Sequence, residues 1–133
     1  MHVAELMQTE VQSVAPDAPV DEAALTIADA HVSGLPVVNR AGRLIGVIST
    51  TDILASEQEV EDPASRVALY EGTPVRDLMT PQPVTIAPNA TIKEAAQQLL
   101  YAGVHRLFVV DSDRLVGVIS TTDIVRAVAN GQI

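Results

Sequence analysis

The sequence predicts an α/β fold of the α+β kind, two βαββα repeats packed about a pseudo-twofold axis. Three observations predict it. The chain matches itself at an offset of 72 residues. Within each copy, short β-prone runs alternate with apolar residues at helical spacing. A copy of roughly 55 residues without cysteine is too small to bury a stable core alone, so the two should pack together.

The repeat is read directly. Val3-Ala-Glu-Leu-Met7 returns as Val75-Arg-Asp-Leu-Met79, and Val14-Ala-Pro16 as Ile86-Ala-Pro88. Glu22-Ala-Ala24 matches Glu94-Ala-Ala96, and Leu35-Pro-Val-Val38 matches Leu107-Phe-Val-Val110. One residue is then lost in a turn and the offset becomes 71; RLIGVISTTDI (43–53) and RLVGVISTTDI (114–124) agree at ten of eleven positions. This divides the chain into repeat one (1–56), a connector (57–73) and repeat two (74–133).

Each element has a local reason. Pro83-Val-Thr-Ile86 is a short β-prone run bounded by proline. Thr91-Ile-Lys-Glu94 is a capping box, and Ile92, Ala95, Ala96, Leu99 and Leu100 follow at helical spacing. Repeat one has Pro19 in place of Thr91, so its helix lacks that side-chain cap. Gly103 suits a helix end. Leu107–Val110 and Leu115–Ile119 flank the turn Asp111-Ser-Asp-Arg114, a hairpin, and repeat one turns through Asn39-Arg-Ala-Gly-Arg43. The last helix begins near Thr122 and ends at Asn130-Gly131. In the connector, an acidic run is interrupted by Pro63, and Arg66, Val67, Leu69 and Tyr70 suit one or two helical turns.

Composition excludes several functions. With 17 Asp and Glu against 8 Lys and Arg, a net charge of −9 disfavours general binding to nucleic acid polymers or anionic membranes. Two Tyr, one Phe and no Trp leave little for stacking nucleobases. The absence of cysteine removes disulfides, thiolate nucleophiles and Cys-ligated metal. No apolar run reaches membrane-span length, and MHVAELMQTE lacks a signal-peptide layout, so a cytoplasmic protein is expected. His2, His31 and His105 are scattered, so no metal site is expected, and neither G-x-G-x-x-G nor a Walker loop occurs. A Ser120, His105 and Asp123 triad has no nucleophile elbow around it, and no catalytic residue is assigned.

Two constellations carry binding chemistry. In Gly46-Val-Ile-Ser49-Thr-Thr-Asp52 and Gly117-Val-Ile-Ser120-Thr-Thr-Asp123, a strand delivers hydroxyls and a carboxylate to a helix start. Backbone N–H groups there favour phosphate, and a carboxylate can accept both hydroxyls of a ribose. Ser-x-x-Asp before an apolar helix is also a capping box, and the two roles are compatible. The copies differ at the other helix start, yet all four of these residues are the same in both. In Val104-His105-Arg106-Leu107, Arg106 offers a fork for phosphate and His105 a donor; an edge-strand Arg with a half-buried His is the structural alternative. Repeat one has Ser33-Gly34 here and cannot supply charge, so two clefts would be unequal.

Taken together, the leading D/E-L-M, the V-H-R-L-x-V-V strand and G-h-h-[S/T]-x-x-D, in this order and twice, resemble the CBS domain. The whole chain but the connector resembles a CBS pair, or Bateman module. The resemblance implies a non-catalytic regulatory protein that binds an adenosine compound in clefts between the repeats: AMP, ADP, ATP or S-adenosylmethionine. No cofactor is implied. Asp52 and Asp123 would grip ribose, and Ser49, Thr50, Ser120 and Thr121 would lie near ribose or phosphate. A His-Arg pair matching His105 and Arg106 contacts phosphates in the regulatory subunits of an energy-sensing kinase. Phe108 departs from the proline usual after this leucine, which Pro36 keeps. Adenine would sit against backbone and aliphatic side chains, with Val11, Gln12 and Val37 in repeat one and Pro83, Val84 and Val109 in repeat two as candidates. With the repeats using up the chain, a stand-alone pair is expected, a homodimer that acts on an unknown regulated protein. The alternative is a protein-interaction module that dimerises through its Ala-rich helices and has no small-molecule ligand.

Overall fold

The structure is a computed structural model that describes residues 1–133. Its elements are α1 (Val3–Leu6), α2 (Val20–Ala30), β1 (Gly34–Val38), β2 (Leu44–Ser49), α3 (Thr50–Glu57), α4 (Pro63–Gly72), β3 (Thr80–Pro81), β4 (Thr85–Ile86), α5 (Ile92–Ala102), β5 (Arg106–Asp111), β6 (Arg114–Ser120) and α6 (Thr121–Ala129), with a 3₁₀ turn at Val75–Asp77. The mixed α/β architecture predicted from sequence is present as two three-stranded sheets with their helices. Two compact units contain them, Gln12–Pro83 and Met1–Val11 with Val84–Ile133. These units cut across the sequence repeats, because each repeat places its leading segment in the unit built by the other.

In the unit Gln12–Pro83 the strand order is β1-β2-β3. β1 runs antiparallel to β2, with Leu35 opposite Ile48 and Val37 opposite Gly46. Gly34 to Val37 are all buried, as a strand covered on both faces requires. The expected first strand of this repeat is reduced to one parallel bridge. Val14 donates its N–H to the Pro36 carbonyl at 3.1 Å and accepts from Val38 N–H at 3.0 Å. Pro16 follows two residues later and has no N–H with which to extend the ladder. An unexpected short strand, β3, pairs Thr80 with Val47 on the far side of β2. Val20, Ala23 and Ile27 of α2 close the core over Leu35, Val37 and Ile48, and Val75 joins them from the second repeat.

In the unit formed by Met1–Val11 and Val84–Ile133 the order is β4-β5-β6. β4 is parallel to β5, with Thr85 opposite Phe108, and β5 is antiparallel to β6. The β5–β6 turn uses left-handed Ser112 and Asp113 (φ 52° and 67°), the pairing that two-residue hairpins need. Ile92, Ala95 and Leu99 of α5 pack on Leu107, Val109 and Ile119, and Val3 of α1 completes this core. Val3 N–H reaches the Ala90 carbonyl at 2.9 Å, and Ile92 N–H reaches that of Met1 at 3.1 Å.

The helix ends follow the sequence. Thr91 caps α5 with the full capping box, Pro19 begins α2 without a side-chain cap, and Gly103 ends α5 at φ 67°. The matching end of α2 places His31 in the same left-handed region. The connector is more helical than the one or two turns expected, with α4 running over ten residues from Pro63. At the first position of a helix the missing N–H costs nothing, and Asp62 caps the turn through Ser65 N–H at 2.6 Å.

Candidate functional site

Each Ser-Thr-Thr-Asp segment forms the corner between an antiparallel strand and a helix. Ser49 is the N-cap of α3: its hydroxyl accepts from Asp52 N–H at 3.1 Å, and Asp52 Oδ2 accepts from Ser49 N–H at 2.9 Å. Ser120 and Asp123 repeat the arrangement at α6, with the same two distances. The capping role is therefore present in both copies. It uses one carboxylate oxygen and leaves Oδ1 pointing to other partners. Thr50 N–H donates to the Ser33 carbonyl at 2.9 Å, and Thr121 N–H to that of His105 at 3.0 Å. Two first-turn N–H groups at each corner are thus already engaged, so these corners offer a phosphate less than a bare helix start would.

The partners of Oδ1 were not legible as site residues. Gln8 Nε2 donates to Asp123 Oδ1 at 3.0 Å, and Arg126 Nη1 lies 3.6 Å from the same oxygen. Asp123 is 7% exposed. At the other corner the Thr80 hydroxyl stands 3.4 Å from Asp52 Oδ1, and Asp52 is half-buried. Gln8 and Thr80 occupy equivalent positions, each following the methionine of its leading segment. The signal was available in the 72-residue offset, which sets Gln8 against Thr80.

Close approach of those segments explains the glycine of the motif. A Cβ on Gly117 would lie 2.7 Å from Met7 Sδ and 2.8 Å from the Gln8 carbonyl oxygen. On Gly46 it would lie 2.6 Å from Met79 Sδ and 3.0 Å from the Thr80 carbonyl oxygen. Only glycine lets the backbone of the leading segment reach the strand and carry Gln8 or Thr80 to the carboxylate.

The structure brings the second constellation to the first. Arg106 is opposite Ser120 in the β5–β6 register, and exposed His105 is tied by its carbonyl to Thr121. Ser120, Thr121, Asp123, His105 and Arg106 therefore converge on one corner, whereas Ser49, Thr50 and Asp52 have Ser33 and Gly34 beside them. The Arg106 guanidinium lies over the Phe108 ring, 5.4 Å from its centroid, which gives the departure from proline at this position a physical role. Burial holds the Arg106 guanidinium below its ordinary pKa, and it remains a cation at any physiological pH.

The adenine candidates divide. Val37 and Val109 are fully buried in the cores, so their side chains present no surface to a ligand. Gln12 is exposed, Val11 and Pro83 are half-buried, and Val84 is 43% exposed beside β5, its carbonyl accepting from Phe108 N–H at 3.4 Å. No group of three or more His, Asp and Glu is placed to hold a metal ion, and no helix is long and apolar enough to cross a membrane.

An apolar groove of about 480 Å³ lies between α5 and α6, floored by Leu99 and Ile124 and edged by His105 and Thr121. Its counterpart between α2 and α3 measures about 410 Å³.

Residues 3–59 and 75–130 match the CBS domain family. The chain is 30% identical to the uncharacterized protein MJ1225 of Methanocaldococcus jannaschii, covering 93% of this chain and 41% of that protein. It is also 30% identical to the chloroplastic CBS domain-containing protein CBSX1 of Arabidopsis thaliana, covering 89% of this chain and 59% of that one. The chain thus spans about two-fifths to three-fifths of the length of these relatives. Among solved structures, CBSX2 of Arabidopsis thaliana in complex with AMP superposes with a TM-score of 0.82 at 31% identity, covering 99% of this chain and 98% of that one.

Proposed function

The chain belongs to the CBS domain family, and from that premise we propose that it binds an adenosine-containing nucleotide as a regulatory module and catalyses no reaction. One observation carries the proposal: each repeat contributes a carboxylate, Asp52 or Asp123, whose Oδ1 is turned away from its cap toward exchangeable side-chain partners. The AMP bound by the similar CBSX2 protein supports this ligand class. AMP, ADP and ATP fit the chemistry first, and S-adenosylmethionine shares the ribose. Asp52 and Asp123 hold the ribose diol, with Ser49, Thr50, Ser120 and Thr121 beside it. Arg106 and His105 meet phosphate at the Asp123 corner. Val11 and Gln12 in repeat one, and Pro83 and Val84 in repeat two, are the candidates for contact with adenine. Binding shifts the population of conformers or oligomers that an unidentified protein partner reads.

Titration calorimetry with AMP, ADP, ATP, S-adenosylmethionine and NADH tests this. A ligand at 100 times its dissociation constant should add about 2.7 kcal/mol of stability. Absence of binding below millimolar, or full binding by the variant Asp52→Ala with Asp123→Ala, would overturn the proposal.

A second reading, a module that self-associates and takes no small molecule, is favoured by apolar exposure on α5 and α6. Leu100 is 84% exposed, and Val125 and Val128 stand clear of the core. Sedimentation decides it: a monomer at micromolar concentration would exclude this reading.

A further inference from the structure

The Ser-Thr-Thr-Asp corners are identical in sequence, yet their carboxylates have different company. We infer that Gln8 and Thr80 rank the two carboxylates, so that Asp52 takes a ribose diol first and Asp123 does so only after Gln8 gives way. The inference rests on the reading that these carboxylates hold the ribose of an adenosine compound.

A carboxylate offers about four acceptor positions, and a diol asks for two of them. At Asp123, Ser120 N–H takes Oδ2, while Gln8 Nε2 and Arg126 Nη1 both address Oδ1. The enclosed carboxylate is therefore largely committed. The Gln8 amide donates where a ribose hydroxyl would donate, so ligand and side chain compete for the same oxygen. Gln8 is well held for this role. Its backbone N–H and carbonyl pair with Val118 at 2.8 and 2.9 Å, which fixes the point from which its side chain reaches.

At Asp52 the competition is weaker. Ser49 N–H takes Oδ2, but Oδ1 has only the Thr80 hydroxyl at the long distance of 3.4 Å. A hydroxyl rotates about one bond and can turn aside at little cost, whereas an amide must swing its whole head group. The position equivalent to Arg126 is Ala55, which brings no cation to Asp52. Asp52 is also the more accessible carboxylate. The site with fewer internal donors is the one that a diol enters more easily.

Calorimetric titration of the full chain with adenosine, which has the diol but no phosphate for Arg106 to meet, tests the ranking, with thermal melts to verify folding of each variant. The expected result is two unequal sites, the tighter one lost in Asp52→Asn and retained in Asp123→Asn. Gln8→Thr should tighten the weaker site about ten- to hundredfold, the worth of one hydrogen bond to a charged group, and Thr80→Gln should weaken the tighter site comparably. 2′-Deoxyadenosine should narrow the gap between the sites. Equal sites in the parent protein, a tight site that survives Asp52→Asn, or unchanged affinities in Gln8→Thr would each overturn the ranking while leaving the ribose reading standing. If neither AMP nor any other adenosine compound binds the parent protein, the ribose reading fails and the ranking goes with it.

Discussion

Gln8 and Asp123 are 115 residues apart in the chain, and the amide of one donates to the carboxylate of the other at 3.0 Å. Thr80 reaches Asp52 in the reciprocal sense, from the second repeat to the first. Each carboxylate is thus finished by the leading segment of the other repeat. This exchange governs stability as well as binding, because the same segments bring Val3 and Val75 into the two cores.

The exchange is tested by Val3→Ala. Val3 is fully buried in the unit that holds β5 and β6. Losing two methyl groups there should cost about 2 kcal/mol. Amide hydrogen exchange should accelerate first in β5 and β6, and β1 and β2 should retain their protection. Val75→Ala should give the mirror result. Loss of protection in β1 and β2 on Val3→Ala would show that the segment serves its own repeat.

Gly117→Ala should destabilise by about 1–3 kcal/mol in urea unfolding, because the added methyl meets both Met7 Sδ and the Gln8 carbonyl. The clash at Gly46 is chiefly with the Met79 side chain, since the Thr80 carbonyl is 3.0 Å away and not 2.8 Å as at Gln8. Met79→Ala should therefore rescue Gly46→Ala more fully than Met7→Ala rescues Gly117→Ala. Equal rescue of the two would remove the distinction between side-chain and backbone clash.

Local features were legible in the sequence and crossings between repeats were not. The caps at Ser49, Thr91 and Ser120 depend on residues three apart, so spacing alone reveals them. Gly103 and the Asp111–Arg114 turn are equally local. Val3 and Val75 have the same pattern around them, and nothing in either run says which sheet it joins. The role of Phe108 also needed space: it was visible as a departure, and only the strand places Arg106 over its ring. Pro63, which interrupts the acidic run, also marks the start of α4, but the length of that helix was not legible.

Arg106 should discriminate phosphate from nucleoside. It pairs with Ser120 across β5 and β6, so it stands beside the corner that holds Asp123. Arg106→Met keeps much of the packing on Phe108 but removes the charge. It should weaken AMP and ATP at that corner about ten- to hundredfold and adenosine hardly at all, the worth of a charge-assisted hydrogen bond. Equal losses for adenosine and AMP would assign Arg106 to packing alone.

The connector helix should respond to acid through Asp62. Ser65 hydrogen bonds to its carboxylate hold the Asp62 pKa below its ordinary value, and the helix it caps contributes no buried residue to a core. A depressed pKa means that the carboxylate form stabilises the folded helix. That contribution is complete above the unfolded pKa and disappears as pH falls through the lowered folded value. The α4 amides should therefore exchange faster on acidification. Asp62→Asn keeps a capping oxygen without titrating, so it should remove the acid dependence of α4 and leave its neutral-pH protection close to the parent. Asp62→Ala should fray α4 at every pH. An unchanged acid transition in Asp62→Asn would show that another group controls it.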